Sequence, residues 1–174
     1  MPRLRLVLAA ACALLVSPVP LIGSSPAAVD SARSAGAEAK VVRELAGSWR
    51  LVSYANRSVE GTLSYPFGKD AVGKLTYTRD GNQWATIGRR GASKNLPDAF
   101  WYTGTFDVNV KRRTVIHHVE YSSITAFEGT DSVRSFTLRR NRLTLTIAPS
   151  GGATGVIKWK RLHVHALEAV GLSD

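Results

Sequence analysis

The sequence predicts an all-β domain: an eight-stranded antiparallel up-and-down β-barrel behind one short N-terminal helix. Three observations carry the prediction. Beyond residue 47, apolar and polar residues alternate with period two almost throughout. Three links between the alternating runs are tight and turn-forming, Arg79-Asp80-Gly81, Val110-Lys111-Arg112 and Arg140-Asn141, and short links make neighbouring strands antiparallel. Only one stretch repeats with helical spacing. Eight strands in sequence order, with no second helix, argue for a closed barrel. A two-sheet sandwich is the alternative.

Residues 1–5 carry two arginines, an apolar run covers 6–16, and Pro18 and Pro20 end that run. Ser25 and Ala27 stand at the −3 and −1 positions of a small-residue cleavage site. Residues 1–27 therefore read as a secretory signal peptide, and the protein is expected to be secreted or periplasmic. An uncleaved membrane anchor would need a longer, unbroken run. A lipoprotein site at Cys12 fits poorly, because Ala9 stands where an aliphatic residue is expected. Cys12 is the single cysteine, which excludes an intrachain disulfide framework and a cysteine-based zinc site. Cleavage after Ala27 leaves 147 of the 174 residues, with 21 basic and 13 acidic side chains and a net charge of +8. A chain of that length buries about 68–70% of its unfolded surface, enough for a full core. With 44% hydrophobic and 21% charged residues, a mainly disordered, collagen-like or coiled-coil chain is excluded.

Residues 28–36 are rich in Ala and Ser and read as a flexible leader. The helix is expected over 37–46, with Val41, Val42 and Leu45 on one face and Gly47 as its stop. Strands are expected over 48–56, 71–78, 82–88, 101–109, 113–122, 131–139, 142–148 and 154–162. The barrel domain covers 37–165, and 166–174 is a tail. Alternate connections of an up-and-down barrel lie at opposite ends, so the three tight turns share one pinched end. The longer links, 57–70, 89–100 and 121–130, share the other end with 149–153. Their apolar tips, Tyr65, Pro66, Phe67, Leu96, Pro97, Phe100, Ile124 and Phe127, mark a ligand entrance.

Alternation also gives the inward faces. These are Trp49 and Leu51; Leu75 and Tyr77; Tyr102, Phe106 and Val108; Val115, His117, Val119 and Tyr121; Arg134, Phe136 and Leu138; Leu143, Leu145 and Ile147; Ile157 and Trp159. In the third strand Trp84 and Thr86 oppose Ala85 and Ile87, and either pair can face in. A barrel of this size is either filled by side chains or holds one small ligand.

Gly47-Ser48-Trp49 places a Gly-x-Trp after the helix, at the start of the first strand. Around it lie Leu45-Ala46 and Arg50-Leu51-Val52-Ser53-Tyr54, then Tyr65-Pro66-Phe67-Gly68-Lys69-Asp70-Ala71-Val72-Gly73, Thr76-Tyr77-Thr78 and Asp80-Gly81. Val115-Ile116-His117-His118-Val119-Glu120-Tyr121-Ser122, Gly129-Thr130-Asp131 and Arg134 complete the set. Together, from about residue 45 to 162, the chain resembles the bacterial and fungal lipocalin-like domain family. The resemblance implies a lipocalin-like barrel enclosing a small apolar or amphipathic molecule, and some relatives lie in natural-product pathways. It also implies that Trp49 plugs the closed end against a basic residue of the last strand, here Arg161. Ala126-Phe127 departs from the Pro and Trp that relatives often carry in this loop.

The candidate ligand contacts are Tyr65, Phe67, Tyr77, Trp84, Tyr102, His117, His118, Glu120, Phe127 and Arg134. Strand geometry puts His118 and Glu120 on one face and His117 on the other. A His–Glu pair in the cavity would hold a polar group or move a proton; the apolar neighbours instead place His117 inside and the pair outside. An inward Arg134 must be paired, either with Glu120 or with a ligand carboxylate. The expected function is non-catalytic carriage. As an isomerase or cyclase, the alternative, the chain would use His117, His118, Glu120 and Tyr121. His163-x-His165 with His118 and Glu120 is a conceivable metal set, but no metal and no cofactor is expected. Arg79, Lys111-Arg112-Arg113 and Arg139-Arg140-Asn141-Arg142 gather at the pinched end. That cap is either solubilising charge or a weak contact for an anionic surface, cell-wall polymer or lipid headgroup, with no nucleic acid expected. Asn56-Arg57-Ser58 fits a glycosylation sequon at chance level. The chain has no Gly-x-Ser-x-Gly elbow, phosphate-binding glycine loop or His-Glu-x-x-His.

Overall fold

A computed structural model describes residues 25–91 and 98–163. Helix α1 (Pro26–Leu45) leads into nine strands: β1 (Gly47–Ser58), β2 (Leu63–Ser64), β3 (Val72–Tyr77), β4 (Asn82–Gly88), β5 (Ala99–Asn109), β6 (Thr114–Ser122), β7 (Asp131–Arg139), β8 (Arg142–Ser150) and β9 (Ala153–Arg161). Each strand from β3 to β8 pairs antiparallel with its successor, β1 pairs with β3, and β9 returns to pair with β1. Eight strands therefore close an up-and-down barrel and the sandwich is excluded. The two-residue β2 only extends β1 at the rim, pairing Asn56 with Ser64.

The helix starts eleven residues earlier than expected, at Pro26 rather than 37. Proline is favoured in the first turn because its missing N–H has no partner there in any case. The alanines beyond it are the best helix formers, so the stretch read as a flexible leader is helical. Residues 1–24 of the segment read as a signal peptide, together with Leu96, Pro97, His165 and the tail, lie outside the described residues.

The inward residues from Trp49 to Trp159 form one buried core. The ladder has three register shifts, in β1, between β5 and β6, and between Ile147 and Ser150 of β8; the first two reshape the cavity wall. In β1 the register slips between Leu51 and Ser53, so Val52 lies outside and Tyr54 and Asn56 turn inward. Between β5 and β6, Thr103 faces Tyr121 while Gly104 faces Val119, leaving Glu120 as the extra residue. A bulge carries two residues against one and bends the strand. Only glycine fits at 104, since a Cβ there would collide with the carbonyl oxygen of His118.

The base of the barrel is solid. Leu45 at the end of α1 is fully buried, with Val41 and Val42 packed beside it. The Trp49 indole donates from Nε1 to the Leu45 carbonyl at 2.9 Å. Arg161 lies over the indole ring, its guanidinium carbon 4.0 Å from the centroid, and donates to the carbonyls of Ala46 and Glu44. Burial moves the Arg161 pKa downward, so the hydrogen bonds and the indole face supply what water would.

Candidate functional site

The upper half of the barrel is hollow. A cavity of about 480 Å³ is lined from Pro66, Phe67 and Ile124 to Leu75 and Trp159, within the range of about 300–1,000 Å³ typical of small-molecule sites. Its wall is apolar: Ala85, Ile87, Leu145, Ile147 and Ile157 face in from three strands, and Pro66, Phe67, Phe100 and Ile124 stand at the mouth. Of the eight apolar tips expected at this end, Pro66, Phe67, Phe100 and Ile124 line the cavity. Phe127, on a single 3-10 turn (Thr125–Phe127), packs against Phe100 and Tyr102, each with ring centroids 5.5 Å away.

Among the described residues one charged side chain lines this cavity, Arg134 on β7. It is 3% exposed. Its Nη1 donates to the Ser132 carbonyl at 3.2 Å, and its guanidinium lies 5.4 Å from the Tyr102 ring centroid. Among the described residues its Nε has no partner, and neither has the indole N–H of Trp159, which also lines the cavity. No carboxylate reaches Arg134 among the described residues. Glu120, the expected partner, is the bulge residue and faces outward.

Beside Arg134 runs a buried chain. The Tyr77 hydroxyl lies 2.7 Å from His117 Nε2, and the Tyr102 hydroxyl lies 2.9 Å from His117 Nδ1. Burial, helped by Arg134 and His118, holds the His117 pKa well below the usual imidazole value, so the ring is neutral. A neutral imidazole donates from one nitrogen and accepts at the other. Tyr77 is fully buried, with His117 as its one partner among the described residues, so it must donate to Nε2 or lose its proton's hydrogen bond. Nδ1–H then donates to the Tyr102 oxygen, which frees the Tyr102 proton for another acceptor. Burial raises the Tyr102 and Tyr77 pKa values, so both keep their protons.

The structure sorts the ten expected contacts. Phe67, Tyr102 and Arg134 line the cavity; His117 and Tyr77 support it from below, and Phe127 backs two of its aromatics. Four expectations are corrected. Trp84 is 42% exposed, because Ala85 and Ile87 take the inward positions of β4. His118 stands outside between Asp131 (2.7 Å) and Asp107 (3.1 Å), whose hydrogen bonds, Asp131 first, raise its pKa. Glu120 is likewise exposed. Tyr65 lines a separate, small pocket on the outer wall together with Ser53, Ala55 and Lys158. Tyr121, expected inward, is 65% exposed because the bulge hands its place to Ser122. Three of the four groups named for catalysis are thus on the outer surface. Among the described residues no three His, Cys, Asp or Glu side chains gather to hold a metal, and His163 bonds instead to Asn141 at 3.0 Å. Sequence reading missed Tyr54 and Asn56 as cavity residues, since the β1 bulge reverses the alternation there.

A closed antiparallel barrel, stoppered at one end and hollow at the other, defines a lipocalin-like protein of the ligand-binding type. A family model described as a lipocalin-like domain matches residues 46–162, and the chain belongs to that family. A solved redesigned β barrel is similar over 70% of this chain and 95% of its own, at 11% identity and a TM-score of 0.41. No curated protein matches the chain.

Proposed function

We propose that this protein carries a small amphipathic molecule whose apolar body fills the upper barrel and whose anionic head, a carboxylate, meets Arg134. The single supporting observation is a buried guanidinium that lines an apolar cavity with no carboxylate partner among the described residues. A guanidinium keeps its charge when buried, and an unpaired buried charge costs several kcal/mol. A ligand carboxylate would supply the missing partner and accept a second hydrogen bond from the Tyr102 hydroxyl. Carriage is non-catalytic in this reading. The isomerase or cyclase alternative keeps only His117 inside the barrel, with Tyr102 between it and the guest. Export through the N-terminal segment belongs to the same proposal and is checked by N-terminal sequencing of protein recovered outside the cytoplasm.

Calorimetric titration with dodecanoate, its methyl ester and dodecanol tests the reading. A charged hydrogen bond contributes about 1.5–3 kcal/mol, so the acid should bind about 10- to 150-fold tighter than the ester. Equal affinity for acid and ester would remove Arg134 from the reading. Absence of binding by all three would remove the carrier.

A further inference from the structure

The outer wall carries a feature the cavity does not use. Lys74 pairs across strands with Arg50, Arg50 with Lys160, Lys160 with Arg142, and Arg142 with Arg139. Five cations therefore stand side by side on β3, β1, β9, β8 and β7, all exposed. No ion pair among the described residues involves any of them. Like charges directly opposite each other destabilise a sheet, and here four such pairs occur in succession. The bulge at Val52 also leaves a groove beside β1, lined by Arg50, Arg142, Lys158 and Lys160.

We propose that this band binds a flexible linear polymer of phosphate groups. Its shape selects the partner. Adjacent strands lie about 4.8 Å apart, so the row runs about 19 Å along the wall, over four of the eight intervals of the closed barrel. A flat bilayer or a stiff duplex cannot follow half a circumference and so cannot meet all five cations together. A flexible chain bends with the wall and meets a cation at every strand. Single-stranded nucleic acid would also bend, but its bases need aromatic platforms. On β1, β9, β8 and β7 the outer positions beside the band are Val52, Lys158, Thr144 and Thr137, none of them aromatic; the exposed Trp84 and Trp101 lie only beyond its Lys74 end, across from Thr76 and Thr86, so four of the five cations have no stacking platform beside them.

The test uses the full domain and inorganic polyphosphate as the probe. Each phosphate contact on a flexible strand contributes about −0.7 to the slope of log K against log salt, so five contacts predict a slope of about −3.5. The Arg50→Gln/Lys160→Gln/Arg142→Gln variant should cut that slope to about −1.4, with a higher Tm and unchanged uptake of dodecanoate. The charge-matched control Arg79→Gln/Lys111→Gln/Arg112→Gln, at the tight turns, should keep the wild-type slope. Equal losses in both variants would reduce the effect to net charge and overturn the proposal. So would anionic phospholipid vesicles or oligothymidylate that bind more tightly per phosphate than polyphosphate. Because dodecanoate is measured separately, failure here leaves the cavity reading untouched, and the reverse also holds.

Discussion

Replacing Arg134 with methionine is expected to stabilise the empty barrel while removing its preference for anionic guests. The guanidinium is 3% exposed and has one backbone hydrogen bond, to Ser132. Against its desolvation, several kcal/mol, stand that bond, about 1.5–3 kcal/mol, and the Tyr102 ring, about 2 kcal/mol when dry. The partnerless Nε adds a further penalty of about 1–3 kcal/mol. Methionine keeps the apolar stem and removes the charge. Apolar replacements of buried ionic groups gain about 1–4 kcal/mol in favourable cases. At about 2–4 °C per kcal/mol for a domain of this size, Tm should rise by several degrees. Thermal unfolding followed by circular dichroism without ligand reads the gain, and titration with dodecanoate reads the loss. A lower Tm in Arg134→Met, or undiminished dodecanoate affinity, would refute the account of Arg134 as a cation awaiting its partner.

His117→Phe leaves the Tyr77 and Tyr102 hydroxyls without their partner; at about 1–3 kcal/mol each, urea unfolding should show a loss of about 2–6 kcal/mol. The two histidines give opposite pH signatures. His117 stays neutral when folded but takes a proton when unfolded below about pH 6.5, so stability should fall with falling pH there, by up to about 1.4 kcal/mol per pH unit. His117→Phe should flatten that limb of the pH–stability curve. His118 has a raised folded pKa, so its contribution is fully present below about pH 6.5 and lost as pH climbs through the folded value. The stability difference between wild type and His118→Gln should shrink on going from about pH 6 to about pH 9, which bracket the reference value. Trp49→Ala removes the stopper beneath Arg161 and should cost about 3–5 kcal/mol, measured by the same urea titration.

The barrel was legible because nearly every inward position repeats at a spacing of two, and a slip of one residue would move a whole strand's apolar set into water. The same rule failed wherever one residue was added. Val52 and Glu120 are the two additions that bear on the cavity, and neither is marked by composition: the first sits in an ordinary alternating run, the second between two valid inward candidates, Val119 and Tyr121. Gly104 was the available signal for the second bulge, since a glycine inside a strand often marks a close backbone approach. The facing of Trp84 depended on Ala85, whose small side chain gives little apolar contrast. Arg134 was readable as inward from Phe136 and Leu138. That it has no carboxylate came only from the β6 bulge, a tertiary detail. The cation band was invisible for a similar reason. Its five members lie as far apart in sequence as 50 and 160, and strand register alone brings them into line.

The zipper between β1 and β9 brings Ser48 and Leu162 within one hydrogen bond of each other, at the stoppered base. Anything grafted onto either terminus of the barrel therefore trails from the floor, away from the rim. Immobilised on a bead or sensor chip by such a tether, the molecule would stand upright like a cup on its foot, with its opening toward the passing solution.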